Sequence, residues 1–163
     1  MKAVLAAAIL AVLPVLLGAQ PVPAYAPNFA CRQMPLGIEL PDSYPMLRKI
    51  APIRDETVGE TTNWGSYQTV IRNLRFDGLR LVVVTFTNDP YRYVLAQASV
   101  TDRRWMPDGP LRIGQTLADV QKKLSAFGIS LNQTLTIGGD ADTVTVRMAD
   151  GRVVGLEYAC YTG

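Results

Sequence analysis

Any chemistry this chain performs must be done without histidine, because its 163 residues contain none. That absence removes the commonest general base, the commonest metal ligand and every Ser–His or Cys–His arrangement. Ser66 lies in Trp64-Gly65-Ser66-Tyr67, which is not the Gly-x-Ser-x-Gly nucleophile elbow, and it reads as a turn or strand-start serine. Glu39, Glu56, Glu60 and Glu157 are the carboxylates that could converge for glycosidase-like acid and base work, although each also reads as a solvated surface group. Asp140 and Asp142 follow Gly138-Gly139 and suggest an oxygen-ligand loop for a cation. The EF-hand spacing is not met, so a hairpin turn is the better reading. Gly138-Gly139 also lacks the lysine and helix that follow in a phosphate loop. The expectation is therefore a non-enzyme with no metal or cofactor.

What remains concentrated is aromatic side chains mixed with arginine. Trp64 and Tyr67 come first, then Tyr91, Arg92 and Tyr93, then Arg103, Arg104 and Trp105. Tyr, Trp and Arg are the residue types enriched where proteins bind proteins. The competing reading is that Trp64 and Trp105 cap the core at sheet ends while the arginines lay their stems along it. On a regular strand Tyr91 and Tyr93 would share one face and Arg92 take the other. The Asn88-Asp89-Pro90 turn before them must project from a rigid support. Arg103–Trp105 leave the far end of the same strand, so they form a separate binding candidate.

The elements that must position these residues are legible from spacing. Thr116 and Asp119 have the [ST]-x-x-[DE] spacing of a capping box, and Leu117, Val120, Leu124 and Phe127 follow as one helical stripe before Gly128. Thr143–Met148 alternates, Asp150-Gly151 turns the chain, and Val154, Leu156 and Tyr158 continue on the return strand. The stripe is expected to pack on Val82, Val84, Val144 and Val146. Tyr67–Arg75, Leu79–Thr87 and Tyr91–Val100 read as a three-stranded meander with turns at Asp77-Gly78 and Asn88-Asp89-Pro90. Pro35, Pro41, Pro45 and Pro52 leave room only for a short helix around Met46–Ile50, and Arg54–Asn63 reads as a loop with at most a short edge strand. The fold class expected is α+β, an antiparallel sheet with two short helices packed on one face. An offset of seventy-three residues places Ser43 on Thr116 and Asp77-Gly78 on Asp150-Gly151. Residues 31–102 and 111–163 are thus candidate tandem helix-then-sheet units, although common helix-hairpin grammar gives the same match.

Residues 1–24 read as a secretory signal peptide: Lys2, an apolar run Ala3–Leu17 interrupted by Pro14, then small residues. Ala19, Ala24 and Ala26 are the candidate cleavage points, with Ala24 preferred because a cut after Ala26 leaves Pro27 beside the scissile bond. The run is short for a membrane span, which takes roughly 20 apolar residues, and no cysteine follows it to carry a lipid. Residues 25–163 are then one soluble α+β domain in the periplasm or outside the cell. That domain has fifteen basic side chains, twelve of them Arg, against fourteen acidic ones. So balanced a charge offers nothing to nucleic acid or an anionic membrane. Cys31 and Cys160, the two cysteines, lie at opposite ends of it and are expected to form one disulfide in an oxidising compartment.

With its Gly114-x-Thr116-x-x-x-Val120-x-x-x-Leu124 run opening a helix-then-sheet unit, the second half resembles the β-lactamase inhibitor protein-like and SmpA/OmlA-like exported envelope proteins. The resemblance covers roughly fifty residues well and the first half poorly; the lipidated cysteine of the latter group is missing. It implies an exported, non-catalytic domain that binds another protein through its sheet face or hairpin loops, as an inhibitor or immunity-type partner. The alternatives are a structural or assembly accessory of the cell envelope and, third, a hydrolase with a carboxylate site.

Overall fold

The computed structural model of the chain describes residue 31 and residues 36–105, 109–138 and 142–162. The signal-peptide reading of residues 1–24 with its cleavage points, together with Pro35, Gly139 and Asp140, lies outside them.

Period-two alternation writes most of what is seen. The elements run α1 (Tyr44–Leu47), β1 (Asp55–Asn63), β2 (Gln68–Phe76), β3 (Leu79–Phe86), β4 (Asp89–Val100), a 3-10 turn (Arg103–Trp105), α2 (Leu117–Ser125), β5 (Thr136–Gly138), β6 (Thr143–Ala149) and β7 (Arg152–Ala159). The seven strands form one sheet in the order β1-β2-β3-β4-β7-β6-β5, and every neighbouring pair is antiparallel. The β2–β3 and β6–β7 hairpins close at Asp77-Gly78 and Asp150-Gly151. Gly78 needs its positive φ of 71°, and a Cβ there would collide with Asp102.

The expected α+β arrangement, two helices packed on the sheet, is not what this sequence builds. The described residues are mainly sheet, and α2 is the one helix among them longer than a turn or so. Helix α2 holds because Thr116 accepts from the Asp119 N–H while the Asp119 carboxylate accepts from the Thr116 N–H and hydroxyl. Helix α1 has Pro45 in its first turn, no side-chain cap from Ser43, and Pro52 soon after, so it ends after four residues. Most of what covers the sheet is irregular chain.

Two further expectations change. The segment read as a loop, Arg54–Asn63, contains a nine-residue edge strand, β1, that hydrogen-bonds to β2 alone. It shows no alternation because both its faces are largely exposed. The helix stripe does not meet Val82 and Val84. Val120 and Leu124 are fully buried in one cluster with Leu74, Leu81, Val83, Val144, Val146 and Leu156, whereas Leu117, Val82 and Val84 are only half-buried. On β3 it is Leu79, Leu81 and Val83 that face the core, and Val82 and Val84 face the other way.

The tandem-unit reading also falls. β3 and β7 both run antiparallel to β4, so they run parallel to each other, with β2 and β1 on one side and β6 and β5 on the other. Two meanders so placed, with their apolar side chains on the same face, have opposite hand, and no rotation superposes them. The shared order of elements is not a structural repeat.

Cys31 and Cys160 are bonded, with their Cα atoms 5.7 Å apart across 129 residues of sequence. The bond anchors the strap of irregular chain, residues 36–43, over the core face. Tyr158 Oη donates to the Leu36 carbonyl at 3.0 Å, and Tyr93 Oη donates to the Pro41 carbonyl. We expect non-reducing mass spectrometry to find no free thiol. The Cys31→Ser/Cys160→Ser variant should lose about 2–5 kcal/mol of stability in urea denaturation.

Candidate functional site

One face of the sheet carries the buried cluster. On the other, every described side chain is half-buried or exposed. Directly paired residues of antiparallel strands share a face, so the ladder pairings lay this open face out in rows. The first row crosses all seven strands and is polar throughout: Asp55, Arg75, Arg80, Ser99, Glu157, Thr145, Thr136. A second row contains Asn73, Val82, Gln97, Ala159 and Thr143. A third, Ile71, Val84 and Val94, is apolar. Beyond it lies the pair Thr69 and Phe86. The face therefore grades from charged to apolar to aromatic along the strands.

At the aromatic end four side chains stand in line. Trp64 stacks on Tyr67 with centroids 6.5 Å apart and planes at 22°. Tyr67 meets Phe86 at 6.2 Å, and the Arg92 guanidinium lies over the Phe86 ring at 4.3 Å. The Trp64 indole N–H donates to Thr69 Oγ1 at 3.0 Å, which fixes the ring although 59% of Trp64 is exposed. Tyr91, 66% exposed, lies next to this row in sequence, at the start of β4 just after the turn that ends β3. Asp89 Oδ1 holds that turn by accepting from the Tyr91 and Arg92 backbone N–H groups at 3.1 and 3.2 Å.

The binding residues expected from sequence are thus divided. Tyr91 and Arg92 are exposed, but Tyr93 is buried and holds the strap. Alternation fails between Tyr91 and Tyr93 because the β3–β4 register jumps from Thr85↔Tyr93 to Phe86↔Asp89. Arg103, Arg104 and Trp105 sit at the opposite end of β4, whose twelve residues at ~3.3 Å each span roughly 36–40 Å. Trp105 packs on Phe76 at 6.0 Å and donates its indole N–H to the Asp77 carbonyl, while Arg104 pairs with Asp102 at 3.0 Å. That cluster closes the β2–β3 hairpin end of the sheet.

The carboxylates are scattered. Glu56 is on the core side of β1, accepting from Tyr44 Oη at 3.0 Å and Arg48 Nη2 at 2.7 Å, with Arg72 at 3.5 Å. Glu157 is on the open face of β7, with three strands between it and β1, paired with Arg147 at 2.9 Å. Glu60 is exposed on β1 and Glu39 exposed before α1. Asp142 is buried and accepts from the Tyr161 N–H at 2.7 Å, a tie for the C-terminal segment. Ser66 lies in the β1–β2 turn beside Gly65. Among the described residues no group of three or more His, Cys, Asp or Glu side chains is placed to hold a metal ion, and no helix is long and apolar enough to cross a membrane.

Sequence reasoning missed Phe86 as a site residue and the rows themselves, because which face each strand turns outward depends on its bulges. No protein-family model matches the chain, and neither a curated protein nor a solved structure does.

Two tyrosines provide a check on the strap and its neighbourhood. Burial pushes the Tyr158 hydroxyl far above its ordinary 10.0. Desolvation, then the hydrogen bond to Glu56, pushes Tyr44 up to about 12. A raised folded value means that the stability contributed is complete below pH 10.0 and is lost as pH rises from there toward the folded value. We expect alkaline titration to show Tyr158 ionising only as the protein unfolds. Tyr158→Phe should remove that step. Tyr93→Phe should cost about 0.5–1.5 kcal/mol, and Tyr91→Phe almost nothing.

Proposed function

We propose that this chain is an exported, non-catalytic binding domain that grips another protein with the open face of its sheet, in the manner of an inhibitor or immunity partner. The observation that carries the reading is the row Trp64, Tyr67, Phe86 and Arg92, with Tyr91 beside it, set on the β1–β2 turn and the adjoining ends of β3 and β4, on a face that no helix covers among the described residues. Large aromatic rings flanked by arginine dominate protein-binding hot spots, since they bury much area at small entropic cost. An exposed tryptophan whose indole N–H is already bonded within its own chain offers its ring face at little cost in ordering.

Export is supported by the Cys31–Cys160 disulfide, which suits an oxidising compartment, and by the signal-like composition of residues 1–24. The periplasm or the extracellular space is then the site of action.

The test begins with cross-linking in the exported fraction of the source cells to isolate a partner. Calorimetry should then show that Trp64→Ala with Tyr91→Ala weakens binding by at least about 1 kcal/mol while the melting midpoint holds. Wild-type affinity in the double variant would remove the aromatic end as the contact.

A further inference from the structure

The middle of the open face is not flat. A trough of about 230 Å³ lies over β3, β4, β7 and β6, between the charged row and the mixed row. Val82 and Ala159 line it with apolar surface, and Arg80, Gln97, Ser99 and Glu157 are its principal polar members. A β-bulge sits beside it: Val82 pairs with Gln97 but Val83 pairs with Leu95, so Ala96 is extra and the strand bends there.

The two charged side chains that line the trough, Arg80 and Glu157, are not paired with each other. Glu157 is engaged elsewhere, since its Oε1 accepts from Arg147 Nη1 at 2.9 Å and from Ser99 Oγ at 3.0 Å. Arg75 has Asp55 directly opposite on β1. Arg80 has Arg75 opposite on one side and neutral Ser99 on the other. Like charges paired across strands are destabilising. Among the described residues Arg80 forms no ion pair, and its one side-chain hydrogen bond is a long one, 3.4 Å to Asn73 Oδ1. The Gln97 side-chain amide, diagonal to it, makes no hydrogen bond there either. A planar five-donor cation and an amide donor thus border a small apolar floor, and the carboxylate that shares the trough, Glu157, pairs with Arg147 and not with them.

We infer that this trough is a subsite for a single carboxylate, the acidic side chain of the bound protein, with its methylene stem on Val82 and Ala159. The fork of Arg80 matches a carboxylate in bidentate geometry, and Gln97 can donate to the remaining lone pairs. One charge suits the site better than two. Glu157 stands two strand spacings from Arg80, roughly 9–10 Å, and would repel a phosphate dianion more strongly than a monoanion. The inference rests on the open face being the binding face, but its test needs no partner.

The test is an NMR titration of the isotope-labelled, disulfide-bonded protein with N-acetyl-glutamate N-methylamide, and in parallel with the glutamine counterpart. The acid should shift the amides of residues 80, 82, 97 and 99 saturably in the millimolar range. The glutamine compound should bind about tenfold more weakly or not at all. Arg80→Gln, with its spectrum otherwise superimposable, should abolish the shifts, and Arg103→Gln should leave them unchanged. Equal responses to the two compounds, shifts retained in Arg80→Gln, or shifts confined to residues 103–112 would each overturn the inference. Those outcomes would leave the aromatic end untouched as a contact surface. Failure of the Trp64/Tyr91 variant would conversely leave the trough standing.

Discussion

The N-terminal four strands and the C-terminal three meet along one short ladder, and the rest of the structure hangs on it. Four residues of β4 pair with β7: Gln97 with Ala159, Ala98 with Tyr158, Ser99 with Glu157 and Val100 with Leu156. Before the bulge at Ala96, β4 pairs with β3 alone; after it, β4 pairs with both neighbours. That stretch puts Ala98 and Val100 into the core between Leu81 and Leu156, and it puts Gln97 and Ser99 on the open face between Val82 and Glu157. The Cys160 N–H donates to the Ala96 carbonyl at 2.8 Å just where the ladder ends, and the disulfide begins at the same residue. The join is short, but its end is closed covalently.

A sheet face covered by irregular chain instead of helices has a polar problem, since the carbonyls of that chain need donors once they leave water. Two tyrosines on the core face solve it. Tyr158 and Tyr93 send their rings into the core and their hydroxyls outward to the carbonyls of Leu36 and Pro41. Each ring adds apolar area and each hydroxyl satisfies an acceptor, which is what a buried tyrosine does well. At the β1 side, the Tyr44–Glu56–Arg48–Arg72 cluster performs a similar service where α1 meets the sheet. The strap therefore behaves as part of the core despite lacking regular structure.

The two faces consequently differ in kind. The core face is closed by hydrophobic burial and satisfied hydrogen bonds. The open face keeps Ile71, Val82, Val84 and Val94 half-covered by their own neighbours, polar at one end and aromatic at the other. Most of its side chains are carried on strands, and Trp64 in the β1–β2 turn is held by its bond to Thr69, so a partner would meet a surface whose ordering was completed in folding. The aromatic row at one end and the unbalanced arginine near the middle are separate features of one rigid plane.

Local physics made some of this readable in advance. Helix α2 follows from Thr116, Asp119 and the Val120/Leu124 spacing, because a capping box and a stripe involve residues within two turns of each other. The β2–β3 and β6–β7 hairpins follow from Asp-Gly pairs between alternating runs, and the disulfide from two cysteines with no other partner. What the sequence could not decide was set by pairing between distant strands. β1 is polar on both faces and acquires strand structure from β2, so it carries no pattern of its own. Val82 and Leu81 are chemically alike, and only the sheet's stacking on the strap and α2 decides which one is core. Tyr91 and Tyr93 part company because one register jump in β4 rotates the strand between them. The bulge at Ala96 inserts one residue and the jump before Tyr93 leaves three unpaired; each resets the facing assignments beyond it and is stabilised by contacts that no local window contains.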